Sequence, residues 1–185
     1  MQAFGSAAEW CAWLEAEHAT SDGCWLKIAK KAAAQASVSY AEALEVAICF
    51  GWIDGQKRAL DGDHWLQRFT PRKAGSRWSK INTTKAAALI AAGRMRPAGQ
   101  REVDAARADG RWDAAYEGQR ASTIPDDLRQ ALDANPAAAA FFRTISSVNR
   151  YAIVYRIGNV KRADTRARKI AQYVQMLAEH KTIHP

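Results

Sequence analysis

No stretch of this chain approaches the ~20 consecutive apolar residues that cross a bilayer, and the opening MQAFGSAAEW has neither a basic segment nor an apolar leader. The expectation is a cytoplasmic protein with no transmembrane segment. Cysteine is scarce: Cys11, Cys24 and Cys49 are an odd number with no C-x-x-C pair, which indicates neither a disulfide framework nor a zinc ribbon. His18, His64, His180 and His184 fall on separate elements without H-E-x-x-H or similar spacing, so no metal is expected. G-x-S-x-G, G-x-G-x-x-G and Walker patterns are missing as well, which leaves no expected cofactor and no nameable catalytic residue. The most informative absence is of negative charge. Between Asp63 and Glu102 there is no carboxylate, while Arg68, Arg72, Lys73, Arg77, Lys80, Lys85, Arg94, Arg96 and Arg101 fall inside.

What is present is an ordinary globular composition with a basic excess. Of 185 residues, 48% are hydrophobic and 25% charged, which argues against wholesale disorder. The formal charge of +8 favours anionic partners. A second basic cluster, Lys161, Arg162, Arg166, Arg168 and Lys169, opens the last helical pattern.

Local patterning predicts an α+β fold. Ser6-Ala-Ala-Glu9 and Ser39-Tyr-Ala-Glu42 fit capping boxes, each followed by apolar residues at helical spacing. Gly51 is a natural stop for the second helix. Cys24–Lys31, Trp52–Leu60 and His64–Thr70 read as strands, the last two joined at Asp61-Gly62 and ended by Pro71. Polar residues on both hairpin strands (Asp54, Gln56, Arg58, Gln67, Arg68) predict a small antiparallel sheet with one wet face. Helices are expected from about Asn82 or Thr83 to Ala92, from Pro97 to Gly110, and throughout the C-terminal part. The organisation predicted is an α+β region over residues 1–116, a linker over 117–123 and a helical region over 124–185.

Several candidate sites follow. Asp54, on a strand between Ile53 and Gly55, serves either as a general base or as a cross-strand partner of Arg68, the commoner use of such a residue. Trp52, Trp65 and Trp78 are stacking platforms or core residues. Trp78, flanked by Arg77 and Lys80 in a loop with glycine and serine, is the one most suited to stacking. The group from Arg68 to Lys80 forms either an anion site or a solvated basic face.

The strings Glu9-Trp10, Trp25-Leu26-Lys27-Ile28, Cys49-Phe50-Gly51-Trp52-Ile53-Asp54-Gly55 and Gln67-Arg68-Phe69-Thr70-Pro71-Arg72 are distinctive. So are Trp78-Ser79-Lys80 with Asn82, Gly93-Arg94-Met95, Gly110-Arg111-Trp112 and Thr165-Arg166-Ala167-Arg168 with Ile170. Together, over nearly the whole chain, they resemble the bacterial YdeI/OmpD-associated, or bacteriocin-protection, family. The resemblance implies a cytoplasmic bacterial protein linked to tolerance of peptide antimicrobials or envelope stress, and it implies no reaction.

The leading expectation is a non-enzymatic protein that binds an anionic or peptide ligand through Trp52, Asp54, Arg68, Arg72, Trp78, Lys80 and Asn82, with Arg162, Arg166 and Lys169 as a second basic cluster. Two alternatives stand beside it. One is nucleic-acid binding through segments 64–101 and 161–169. The other is a small-molecule enzyme using Asp54 with Arg68 or Arg72.

Overall fold

The computed structural model describes residues 1–34, 36–118 and 122–185. It divides into two compact units, Met1–Tyr116 and Glu117–Pro185. Of the linker expected at 117–123, residues 119–121 lie outside the described residues.

The first unit is built on a four-stranded sheet among the described residues: β1 (Gln2–Ala3), β2 (Cys24–Ala29), β3 (Trp52–Ala59) and β4 (His64–Pro71), in the spatial order β1-β2-β4-β3. The hairpin and its neighbour β2 are antiparallel, as the sequence predicts, but β1 adds in parallel to β2, making the sheet mixed. Two residues carry no periodicity, which is why β1 escapes a pattern reading.

Four helices complete this unit: α1 (Ala7–Glu17), α2 (Tyr40–Cys49), α3 (Lys80–Ala91) and α4 (Pro97–Ala108). Ser39 and Glu42 cap α2 reciprocally, Glu9 N donates to Ser6 Oγ at the start of α1, and Asn82 N donates to Ser79 Oγ at the start of α3. The third helix therefore begins two or three residues before the expected Asn82 or Thr83. Trp10, Trp13, Trp52 and Phe69 meet on the inner face of the sheet with ring centroids 5.2–6.2 Å apart. Removing each such ring from water contributes about 1.5–3 kcal/mol. Gly51 takes φ +74° at the end of α2, and Gly99 lets α4 approach the Cys49 carbonyl where any side chain would collide.

One irregularity reorders the faces of the sheet. Asp54 sits opposite Phe69 and Lys57 opposite Gln67, so Gly55 and Gln56 together face Arg68 alone, which is a β-bulge. Because side chains alternate along a strand, one extra residue reverses the parity beyond it. Asp54 consequently shares the inner face with Phe69, whereas Arg58, opposite Leu66, lies on the outer one. The expectation that Asp54, Gln56 and Arg58 share one wet face is therefore corrected. Gln67 is corrected too: it is buried, and its Nε2 donates towards the carbonyls of Gly55 (3.0 Å), Gln56 (3.3 Å) and Arg68 (3.2 Å). The side chain thus satisfies backbone groups that the bulge removes from the ladder.

The second unit is helical: α5 (Asp126–Asp133), α6 (Pro136–Thr144), α7 (Ser147–Gly158) and α8 (Ala163–Ala178). Leu128, Leu132, Phe142, Ile153, Ile157, Ile170, Tyr173 and Leu177 form its own core. Asn149, buried on α7, pins the C-terminal tail by accepting from Ile183 N and His184 N and donating to the His184 carbonyl.

Candidate functional site

Where β4 ends, Pro71 closes the ladder and Arg72 turns inward. Its backbone N–H donates to the Gly51 carbonyl (2.9 Å), and the left-handed turn at Gly51 presents that oxygen. The following loop is tied down on itself and from outside. Lys73 N donates to Ser76 Oγ, Arg111 Nη1 donates to the Ser76 carbonyl (2.9 Å), and Arg111 is itself clamped by Asp109. Beyond the loop, Trp78–Lys80 pairs with Tyr116: Tyr116 N donates to the Trp78 carbonyl and Lys80 N to the Tyr116 carbonyl.

These constraints bury the Arg72 side chain, which is 7% exposed. Its guanidinium lies 3.5 Å from the centroid of the Trp78 ring, and Trp78 in turn packs against Trp112 at 5.1 Å. Only Nη1 is accounted for, by a 3.2 Å bond to the Arg77 carbonyl. Nε and Nη2 are sealed from solvent and meet no hydrogen-bond partner among the described residues; the same is true of Trp78 Nε1. Nε–H and the Nη2 group form one side of the guanidinium fork, with two parallel donors spaced to match the oxygens of a carboxylate or phosphate. A buried charged group left half unpaired in this way is rare in native structures.

Burial lowers the Arg72 pKa to about 10, against the opposing influence of Glu102, Asp54 and Tyr116. The charged form is thus disfavoured by about 3 kcal/mol relative to water. Asp54 is engaged elsewhere, accepting a 2.9 Å bond from the Tyr40 hydroxyl. Burial, reinforced by the Asp54 carboxylate, pushes the Tyr40 phenol well above its usual range. The arrangement is a low-dielectric polar cluster in which a cation has carboxylates nearby but no carboxylate on its open edge.

The expected site residues separate into groups. Arg72 and Trp78 come together, with Asn82 buried at the start of α3 and Lys80 exposed beside it. Trp78 is therefore not an exposed platform; it is 1% exposed and its ring is stacked by Arg72. Trp52 is a core residue whose Nε1 donates to the His18 carbonyl. Arg68 lies on the opposite face from Asp54 and donates to the Asp22 carbonyl, so neither the cross-strand pair nor an Asp54–Arg68 catalytic couple forms.

The acid-free run finds its counter-charges from outside. Glu45 takes Lys85 and Arg94, and Glu15 takes Arg96. The C-terminal cluster is partly neutralised too: Arg166 is forked onto Asp127, Arg162 and Arg168 reach Asp164, and Lys169 is half-buried on α8.

Sequence reading missed Tyr40, Glu102, Arg111, Trp112 and Tyr116. Glu102 carried a signal as the first carboxylate after the acid-free run, and Arg111 and Trp112 as part of the distinctive string Gly110-Arg111-Trp112. The second unit has a groove of about 600 Å³ between α5 and α8, lined largely by Ala131, Ala134, Ala167, Ala171 and Val174, with Asp127 and Arg166 alongside. Among the described residues no three His, Cys, Asp or Glu side chains gather as a metal would require, and no helix is long and apolar enough to cross a membrane.

Fold and site together define an α+β protein with a half-unpaired buried arginine in its sheet unit and a separate helical unit. The chain belongs to the family described as Domain of unknown function (DUF8412), whose model matches residues 2–102. Residues 121–180 match the model OmdA, described as Bacteriocin-protection, YdeI or OmpD-Associated. That match falls on the helical unit and includes Thr165–Arg168. The strings around Gly51 and Pro71, which also carry the resemblance, lie in the segment matched by the other model. No curated protein and no solved structure matches the chain.

Proposed function

We propose that this bacteriocin-protection-type protein is a binding protein, and that Arg72 receives the carboxylate of a small organic or peptide ligand. The carrying observation is the Nε–Nη2 edge of a nearly buried guanidinium that meets no partner among the described residues and is held over the Trp78 ring. A ligand carboxylate would supply two charge-assisted hydrogen bonds to that edge and offset the burial cost of the charge, which Arg72, with a pKa of about 10, carries at neutral pH. Carboxylate is favoured over phosphate by the surroundings. Asp54 and Glu102 already bring negative charge to bear on Arg72, so a dianion meets repulsion that a planar monoanion largely avoids. Trp78, Trp112 and Tyr116 suit an apolar or peptide body behind the carboxylate.

Because the fork is sealed, entry couples to parting of loop 73–77 from the Tyr116 segment, and association runs slower than docking on an open surface. The competing occupant is an ordered water, which would satisfy the same donors without any ligand. Thermal-shift titration separates the two, since a ligand that binds only the folded state raises the midpoint by mass action. Short peptides with a free C-terminal carboxylate should raise it, while their C-terminal amides and inorganic phosphate should not, and Arg72→Met should remove the response. Equal shifts from acid and amide, or a shift that survives Arg72→Met, would sink the reading.

A further inference from the structure

The outer face of the sheet carries a second arrangement, independent of Arg72. Strand register places Trp25 opposite Arg68, Lys27 opposite Leu66, and Arg58 opposite Leu66 from the other side. These residues share a face, with Ile53 and Thr70 paired beside them. Arg58 reaches this face only because the bulge at Gly55-Gln56 reverses the parity of β3. The guanidinium carbons of Arg58 and Arg68 lie 4.5 and 5.9 Å from the centroid of the half-buried Trp25 ring.

Both arginines are bonded to neutral oxygens: Arg68 Nη2 to the Asp22 carbonyl (3.2 Å) and Arg58 Nη2 to Gln56 Oε1 (3.3 Å). Neither acceptor cancels the charge, and a guanidinium has five donors to offer. No carboxylate stands at the strand positions of this face. Of the acids near these residues in sequence, Asp54 lies on the inner face and Asp22, Asp61 and Asp63 belong to the turns at the strand ends, with Asp61 turned back onto His64 and the backbone N–H groups of Asp63 and His64.

We infer that this face is a docking surface for single-stranded nucleic acid. Lys27, Arg58 and Arg68 supply phosphate contacts, while Trp25 and the guanidinium planes beside it supply stacking surfaces for bases. An aromatic residue among cations on an open sheet is the chemistry of sequence-tolerant strand binding. Duplex DNA is read by an element inserted into a groove, which a broad strand face does not offer. An acidic peptide could meet the charges but has no planar bases for Trp25 and the guanidiniums to stack. The charge excess of +8 adds long-range attraction.

The test is fluorescence anisotropy of labelled oligo-dT and oligo-U of about 12 nucleotides, with a matched duplex and polyglutamate as comparators, between 50 and 300 mM salt. Both single strands should bind. The log–log salt slope should be about −2, from three phosphates at about −0.7 each on a single strand. The combined Lys27→Gln, Arg58→Gln, Arg68→Gln variant should lose at least tenfold in affinity and most of the slope while still unfolding cooperatively, its midpoint lowered only by loss of the Arg68–Asp22 bond and the cation–π contacts with Trp25. Trp25→Leu should lose roughly fivefold or more, and Arg162→Gln with Arg168→Gln should change nothing.

The proposal is overturned by any of four results: no complex at 50 mM salt, equal affinity of the triple variant, duplex bound as tightly as single strands, or polyglutamate competing as well as oligo-dT at equal charge. The triple variant replaces no fully buried residue, so the test survives if Trp25→Leu does not fold.

Discussion

Two arginines, one in each unit, are solved by the chain in opposite ways. Arg166 on α8 has its Nε and Nη2 edge closed by Asp127 at 2.6 and 3.0 Å, and its Nη1 capped by the Ile157 carbonyl at 2.8 Å near the end of α7. Arg72 is more deeply buried, yet the same edge of its guanidinium faces no acceptor. The energetics run against what structure alone would select. The exposed fork is the one given a carboxylate, although a pair near solvent contributes little. The sealed one, where an unmet charge costs most, is given none. A fold that wanted only stability would pair the open edge of Arg72 with an acid, or replace Arg72 with methionine. That contrast is why Arg72, rather than the more obvious charge clusters, carries the functional reading.

The largest expected effect breaks the comparison at Arg72. If the open edge exists for a ligand carboxylate, Arg72→Lys should weaken binding by roughly 30-fold or more, because a point charge cannot reproduce the fork and a buried charge partner is left poorly paired. Calorimetric titration with a free-acid peptide checks it. Retention of affinity in Arg72→Lys would mean that charge alone matters and that the open edge is incidental.

Next comes Gln67, which asks whether unmet polar groups are a general fault of the sheet unit. Away from Arg72 and its neighbour Trp78 they are not: buried Gln67 satisfies the carbonyls around the bulge. Gln67→Leu keeps the volume but strands those oxygens, and should lower unfolding free energy by about 1–3 kcal/mol. Chemical denaturation measures it. A neutral result would show that the bulge relaxes cheaply, and would weaken the claim that Arg72 is an exception.

Legibility in the sequence followed local chemistry. The capped starts at Ser6 and Ser39, the stop at Gly51, the hairpin and the helical end of the chain all carry short-range signals, and the structure has them. What stayed hidden depended on register. Nothing in the order Asp54-Gly55-Gln56-Lys57-Arg58 announces that two residues face one, yet that count separates Asp54 from Arg58 and Arg68. Trp78 was misread because its neighbours are basic and flexible-looking, whereas Arg72, six residues earlier, folds back to cover it. Arg72 and Trp78 were among the residues singled out from the sequence, but the depth of the arginine was not, since burial of a charge is a property of packing around it.

Arg166 supplies the third test. Arg166→Met removes the fork to Asp127 and the cap on Ile157, and should destabilise the helical unit by about 1 kcal/mol, the pair being partly open to solvent. It should also change the acid limb. The hydrogen bond from Arg166 holds the Asp127 carboxyl below its usual range. Its stabilisation is therefore fully present above the ordinary carboxylate pKa of about 4 and is lost as pH falls through the lower folded value. The variant should lose that part of the acid dependence, which urea midpoints measured from pH 6 down to pH 2 would show.

The smallest effect sharpens the comparison most. Arg72→Met should leave the ligand-free protein within about 1 kcal/mol of its original stability, with either sign. The change relieves the burial penalty on the cation, about 3 kcal/mol from its lowered pKa. Against that it gives up a cation–π contact worth up to about 2 kcal/mol and one hydrogen bond worth about 1 kcal/mol. The pH dependence fixes the interpretation. Because burial lowers the Arg72 pKa, the folded state releases its proton before the unfolded chain does. The unmodified protein should therefore gain stability relative to Arg72→Met as pH rises through about 10, with no change in the difference below that. Adding the ligand should move this gain to higher pH, since an oxyanion on the fork restores the charged form. Denaturant unfolding at pH 8, 9.5 and 10.5 measures all three. A loss of 3 kcal/mol or more in Arg72→Met at pH 8 without ligand would mean that Arg72 is a structural member of the core, and the contrast with Arg166 would collapse.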